Sequence, residues 1–403
     1  MWGTNLPRPV YNGAVQKPYD AIVIGGGLIG LSLAWQLARR GARLLLIDRR
    51  EPGQEASHAG GGMIADLDPV LPSELRELGH RSAALYPTFV SELAAEAERP
   101  IDLRGDGVIA FEQHPIEPGE GIRAITAAEA LALEPRLTPP PDPAYTMQER
   151  SVDPRDLVAA LIAALGKRED QVTLLRNEAV VKVVTDRGRA GGVLTGLDSY
   201  AAPRVVNCAG AWASQIVTSR IVTSRIGASR IGASQSGTSQ VPEVRLSTQP
   251  VKGHMVALAF PEELAMSAAE REEKRVLRHV LRSRWCYIVP RSNGRYVVGS
   301  TVEPAGFDKS LNRYRVKRLQ EAAARLVPQF AEAQIAEAWT GLRPGTPDNL
   351  PLLGETALPG YFAATGHYRD GILLAPVTAE AMCALILDGK SPLPLDRFSP
   401  QRF

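Results

Sequence analysis

The sequence predicts an α/β chain in which a Rossmann-like, parallel-sheet nucleotide-binding unit is joined to a discontinuous antiparallel-sheet domain. Three observations carry this expectation. Residues 19–24 and Leu44–Ile47 are short apolar runs on either side of a helix-spaced stripe, Leu31, Ala34, Trp35 and Ala38, so the opening reads strand, helix, strand. Glycines at 25, 27 and 30 stand where the first strand gives way to the helix. From Gln249 onward, residues 255–259, 286–289 and 296–298 read as strands, the last two joined by an Asn293-Gly294 turn, and one helix over residues 313–326 interrupts them.

Each glycine of the opening turn has a distinct task. Gly25 makes the tight turn, Gly27 lets backbone approach a pyrophosphate, and Gly30 lets helix and strand pack closely. The helix N-terminus, with its unsatisfied N–H groups and positive dipole end, then favours an anion without any lysine. Asp48, at the end of the second strand, is placed to accept hydrogen bonds from ribose hydroxyls. This unit alone leaves NAD and FAD equally open, since it would hold the ADP half of either.

A chain of 403 residues, 44% hydrophobic and 22% charged, is long enough for two domains. Its 46 basic and 44 acidic side chains leave a net charge of +2, too little to attract nucleic acid or an anionic membrane. A small-molecule partner is expected. The three cysteines, Cys208, Cys286 and Cys383, are far apart and form no CxxC pair, so reduced thiols, a cytoplasmic setting and no metal site are expected. Residues 1–17 lack a continuous apolar core and read as a short extension, not a secretory signal. The one apolar run near membrane length, residues 21–38, holds four glycines, Ser32 and Gln36 and changes period midway, which argues against a span.

Residues 55–65 (EASHAGGGMIA) are too glycine-rich for a helix interior and read as a loop close to a ligand. Residues 75–97 read as a helix and residues 135–143 as a proline-rich excursion. Another helix follows over residues 153–165, with Asp153 as N-cap and Pro154 in first position. Strands are expected at 172–175, 180–184, 193–197 and 204–207, with Gly188, Gly191 and Gly192 marking a turn. Between 216 and 240 the sequence repeats every five residues (IVTSR, IVTSR, IGASR, IGASQ, SGTSQ), a period of neither helix nor strand, and reads as a surface loop. Residues 375–387 form a last apolar helix. The expected nucleotide-binding domain comprises residues 18–99, 153–215 and 341–403, and the substrate domain residues 100–152 and 241–340.

Several strings stand in order along the chain: IGGGLIGLSLAWQLARRG, GHMVAL, CYIVPR, VVGSTVE, GLRPGTPDNLPLLG and ATGHYRDGILLAP. With them the sequence resembles the glycine oxidases of thiamine biosynthesis, within the wider D-amino-acid and sarcosine oxidase family. The resemblance implies an FAD-binding domain and FAD held by Leu28 and Ile29, Asp48 and Arg49, Ala56 and Ser57, and Gly61, Gly62 and Met63. Val180 would contact adenine through its backbone. The segment His367, Tyr368, Arg369, Asp370, Gly371, Ile372 and Leu373 would pass the flavin ring. Relatives that bind flavin covalently use a cysteine near Asp348 or Asn349, and none is present, so noncovalent FAD is implied.

The resemblance further implies a substrate carboxylate clamped by Arg343 and Arg369, with Tyr287 as a third donor. Arginine suits this because its planar fork binds a carboxylate through two parallel bonds. The implied reaction is oxidative deamination of glycine, and of sarcosine or small D-amino acids, with oxygen reduced to hydrogen peroxide. It needs no protein base, and His58, His254 and His367 are isolated in sequence. Val302, where these oxidases carry methionine, would widen the pocket. A homo-oligomer and thiazole synthase as imine acceptor are the implied partners. Two other readings stay open: a sarcosine-type oxidase or D-amino-acid dehydrogenase using another acceptor, and a noncatalytic FAD-binding interaction protein.

Overall fold

Strand Ala21–Ile24, helix Leu28–Arg39 and strand Leu44–Ile47 form the expected opening unit. The structure, a computed structural model, describes residues 19–220 and 243–403 together with a short antiparallel pair, Val10–Tyr11 and Ala14–Val15. Every residue of the two opening strands is buried, which is why neither run alternates with polar residues. Ala21, Val23, Leu44 and Leu46 face a helical layer, while Ile22, Ile24, Leu45 and Ile47 face Val183 and Val193 of a small second sheet. Burying each such side chain contributes roughly 1.5–3 kcal/mol.

The sheet that holds these strands has six members in the order Val172–Leu175, Leu44–Ile47, Ala21–Ile24, Val205–Asn207, Tyr361–Thr365, Leu352–Glu355. All neighbours are parallel except the last pair. Helix Leu28–Arg39 packs against Pro154–Gly166 and Ala375–Asp388. Asp153 caps the former as expected, its carboxylate accepting the Arg155 N–H at 2.8 Å.

An eight-stranded sheet forms the second layer, with order Gln334–Gly345, Gln249–Ala259, Arg295–Gly299, Tyr287–Pro290, Val280–Arg282, Val108–Phe111, Ala144–Met147, Ile122–Ile125. It is antiparallel apart from one parallel link, Val280–Arg282 beside Val108–Phe111, which splices segments far apart in sequence. Helix Arg313–Leu326 covers one face through Val316, Leu319, Ala323 and Leu326. The strand Gln334–Gly345 runs alongside Gln249–Ala259 for its full length and carries Arg343 toward the first sheet. Arg155 joins the layers by a two-pronged contact with Glu337 at 2.8 and 3.0 Å.

Three local expectations are corrected. Residues 55–65 are not wholly loop: Ala56–Ala59 closes a single helical turn and Met63–Ile64 pairs with 150–151. Gly191 and Gly192 lie inside the strand Arg189–Thr195, and the turn is made by Arg187 and Gly188, both at positive φ. A Cβ on Gly192 would strike the Tyr200 backbone, so close strand approach accounts for that glycine. The pentad segment begins as structure: Val217–Arg220 pairs in parallel with 182–185, with Ile216 and Thr218 buried. Its β-branched residues suit a pleated, half-buried surface. Residues 221–240 of the repeat lie outside the described residues. Among the described residues no helix is long and apolar enough to cross a membrane.

A buried ionic cluster underlies residues 66–68. Arg282 meets Asp68 at 3.1 Å, Glu149 at 3.3 Å and Glu112 at 3.5 Å, and Glu149 accepts the Leu67 N–H at 3.1 Å. Burial raises the Glu149 pKa to about 7 against the pull of Arg282, with Asp68 and Asp66 pushing the same way as burial. Its folded pKa exceeds the ordinary 4.5, so the stability it contributes is full below about 4.5 and is lost as pH rises through about 7. Glu149→Gln, neutral throughout, is therefore expected to gain on the wild type across that window, by at most about 3 kcal/mol. Urea melts of both proteins as a function of pH check this, and parallel curves would refute it.

Candidate active site

A cavity of about 520 Å³ runs along the carboxyl ends of the parallel strands and on to the eight-stranded sheet. At one end stands the glycine turn. Gly25 has φ +100°, and a Cβ there would lie 2.6 Å from the Cys208 carbonyl oxygen. A side chain on Gly30 would collide with the Gly25 carbonyl, so Gly30 sits behind the wall and lets helix meet strand. Gly27 differs: its nearest neighbour would be Ser57 Oγ at 3.4 Å, leaving its face open to the cavity. The N-cap residue Gly27 has no side chain with which to cap the helix that starts here. The Leu28 N–H donates to Ser57 Oγ at 2.8 Å, and Leu28, Ile29, Ala56 and Ser57 all line the cavity.

Asp48 lines the same end and also braces the turn, accepting the Gly26 N–H at 2.6 Å and the Arg50 N–H at 2.8 Å. Burial raises its pKa, and those two N–H groups and Arg49 oppose the rise. Arg49 lies over the Trp212 ring at 3.7 Å and bonds Glu55 at 3.1 Å. Val180 lines this end beside Glu178. Trp212, which the sequence reading passed over, follows the buried strand Val205–Asn207 on a short 3₁₀ turn.

Gly61, Gly62 and Met63 form the middle wall. Under them lies a residue not anticipated, Arg291, which donates to the Gly61 carbonyl at 2.8 Å and the Val152 carbonyl at 2.9 Å. Gly62, at φ +82°, leaves room for that guanidinium. The Tyr287 ring is wedged between Gly61 and Gly299, either of whose Cβ atoms would lie 2.6 Å from it. Its hydroxyl donates to Met255 Sδ at 3.3 Å.

Arg343 reaches the cavity from the strand Gln334–Gly345. Its Nη1 donates to the Thr301 carbonyl at 3.1 Å and the Lys252 carbonyl at 3.5 Å, and its Nη2 donates to Ser300 Oγ at 2.7 Å. A side chain at Gly253 would occupy the space of that guanidinium. Two carbonyls and a hydroxyl are thus its hydrogen-bond acceptors, with no carboxylate partner among the described residues. Burial lowers its pKa, Tyr287 and Tyr368 oppose this, and the charge on Arg369 adds to the lowering. The structure therefore brings Arg343, Tyr287 and Arg369 to one cavity, with Arg369 exposed at its edge.

Tyr368, Asp370, Gly371, Ile372 and Leu373 line the cavity with His367. His367 is buried against Thr378 Oγ1 at 3.1 Å, and burial lowers its pKa to about 3, so it is neutral at physiological pH. Burial raises Asp370 to about 6, with Arg369 opposing and Asp68 reinforcing. His254 is enclosed by Thr301, Glu303 and Asn312, and His58 stands edge-on to Trp339. Val302 does not shape the cavity: it is 51% exposed, because the chain turns outward after Ser300. Among the described residues no group of three or more His, Cys, Asp or Glu side chains is placed to hold a metal ion.

The sequence matches the family described as FAD dependent oxidoreductase over residues 20–385. The chain belongs to this family. As a family member it is an FAD-dependent enzyme, and its residues fit the cofactor: a helix start whose N-cap is a glycine, an open Gly27 face and a half-buried carboxylate at the second strand end. This FAD-dependent oxidoreductase is 32% identical to the glycine oxidase of Geobacillus kaustophilus, over 95% of its own length and 97% of that protein's. The crystal structure of glycine oxidase from that organism superposes with a TM-score of 0.80 at 30% identity, covering 96% of this chain and all of the other. A bifunctional protein ThiO/ThiG of Nostoc is 31% identical over 95% of this chain, which spans 55% of that longer protein.

Gly30→Ala tests the turn. It should cost about 1–3 kcal/mol by overpacking and yield protein with less than one FAD per chain. Full flavin content with an unchanged melting temperature would refute the packing role.

Proposed function

We propose that this protein oxidises small amino acids, glycine foremost, by clamping the carboxylate between Arg343 and Arg369 with Tyr287 as a third donor. The observation that carries this reading is the Arg343 guanidinium, facing a cavity with no acidic partner of its own. A buried cation in that state favours an anionic ligand, and a carboxylate matches its fork. Similarity to glycine oxidase along nearly the whole chain supports glycine as the substrate.

Leu28, Ile29, Asp48, Arg49, Ala56, Ser57 and Val180 would hold the ADP half of FAD, and Gly61 to Met63 with His367 to Leu373 the isoalloxazine. Asn349, not a cysteine, lines this end, which supports noncovalent attachment. When bound, FAD would supply a hydride acceptor for the α-carbon and a route for the two electrons to oxygen, giving the imine and hydrogen peroxide. The protein's part is to hold a small acid still, with its amine free to assist. His367, held neutral, takes no proton in this scheme. The ThiO/ThiG relative, in which a like chain is fused to a second part, supports hand-over of the imine to a thiazole synthase.

Glycine added without oxygen should bleach the bound yellow chromophore, and peroxide should form in air. Arg343→Ala should retain FAD and raise the KM for glycine roughly a hundredfold or more, the loss of two charge-assisted bonds. Unchanged glycine kinetics in that variant would overturn the clamp. Peroxide yield with sarcosine and D-alanine beside glycine separates the sarcosine-type and dehydrogenase readings.

A further inference from the structure

We propose that Ser300 is a positioning residue for Arg343, its hydroxyl fixing which edge of the guanidinium faces the substrate. This rests on the carboxylate-clamp reading. A guanidinium has five N–H donors. Those of Nη1 are directed to two backbone carbonyls, Thr301 at 3.1 Å and Lys252 at 3.5 Å. One of the two on Nη2 goes to Ser300 Oγ at 2.7 Å. In the proposed arrangement Ser300 takes the Nη2 proton nearer Nη1, which leaves the second Nη2 proton and the Nε proton, adjacent and parallel, the side-on fork that a carboxylate accepts through both oxygens. The carbonyls hold one end of the plane only. Gly253 puts no side chain against one flat of the guanidinium, and the Ser300 hydroxyl is the hydrogen-bond contact that holds the other end.

Ser300 is itself held on a rigid turn that does not depend on its side chain. The Thr301 hydroxyl accepts the His254 N–H at 2.9 Å and donates to Glu303 at 2.6 Å. His254, fully buried, bonds Glu303 at 2.9 Å and accepts the Asn312 N–H at 3.0 Å, and Glu303 pairs with Arg315 at 2.9 Å. Removing the Ser300 hydroxyl therefore deletes one acceptor and leaves the turn in place.

The test uses the FAD-loaded enzyme, with acetate as a carboxylate that cannot be oxidised by hydride loss beside an amine. Acetate affinity is read from its perturbation of the visible flavin spectrum, next to KM and kcat for glycine. Ser300→Ala is expected to weaken acetate and raise KM about tenfold, with kcat changed far less and flavin content retained. Ser300→Thr, which keeps the acceptor, should restore both. Acetate affinity and KM unchanged in Ser300→Ala, while Arg343→Ala loses acetate, would overturn the positioning role and leave the clamp standing. A fall in kcat alone, with acetate affinity intact, would overturn it equally. If Arg343→Ala binds acetate as the wild type does, the clamp fails and this proposal fails with it.

Discussion

A largely buried guanidinium with no carboxylate beside it among the described residues is the constraint around which the centre of this molecule is arranged. Leaving such a charge unsatisfied would cost several kcal/mol. Arg343 is held by two carbonyls and a hydroxyl, which solvate the charge without neutralising it. The pairing of Gln334–Gly345 with Gln249–Ala259 sets Arg343 opposite Val251, so its side chain lies diagonally across Gly253. Any larger residue at 253 would deny the guanidinium its place. The long strand pair thus carries a charge from the wide sheet to the edge of the parallel one.

The nucleotide end obeys the same economy of space. There the chain offers a helix start where the other end offers a cation, and glycines again decide what approaches what. Gly25 and Gly30 bring backbone onto backbone, while Gly27 leaves its face clear. Arg291 pins the connecting wall from beneath, and Arg155 with Glu337 ties the layers together. These contacts join segments from both halves of the sequence, so the cavity exists only in the fully folded chain.

The parts legible in the sequence were those set by local pattern. Residues 21–47 carry a period change and glycine spacing that no tertiary contact has to supply, and Asp153-Pro154 announces its helix by itself. The strand Gln334–Gly345 was invisible because its reading, QIAEAWTGLRPG, mixes charged, small and proline residues, and pairing along a full-length neighbour holds it extended. Arg343, Arg369 and Tyr287 were legible through resemblance, not through spacing. Gly253, Ser300 and Arg291 were missed because each acts on a residue distant in sequence. Val302 was misjudged, since a place just after a hairpin does not disclose that the chain then turns outward.

Tyr287 lies close to both Gly61 and Gly299, and neither position has room for a side chain beside it. In the proposed assignment, a wall of the cofactor compartment and a ring of the substrate compartment are therefore immediate neighbours. Any factor by which a cofactor at the wall changes the affinity for an acid at the ring is returned, by thermodynamic reciprocity, as the same factor on the hold for FAD. On that assignment, the path between the two compartments is a single aromatic ring.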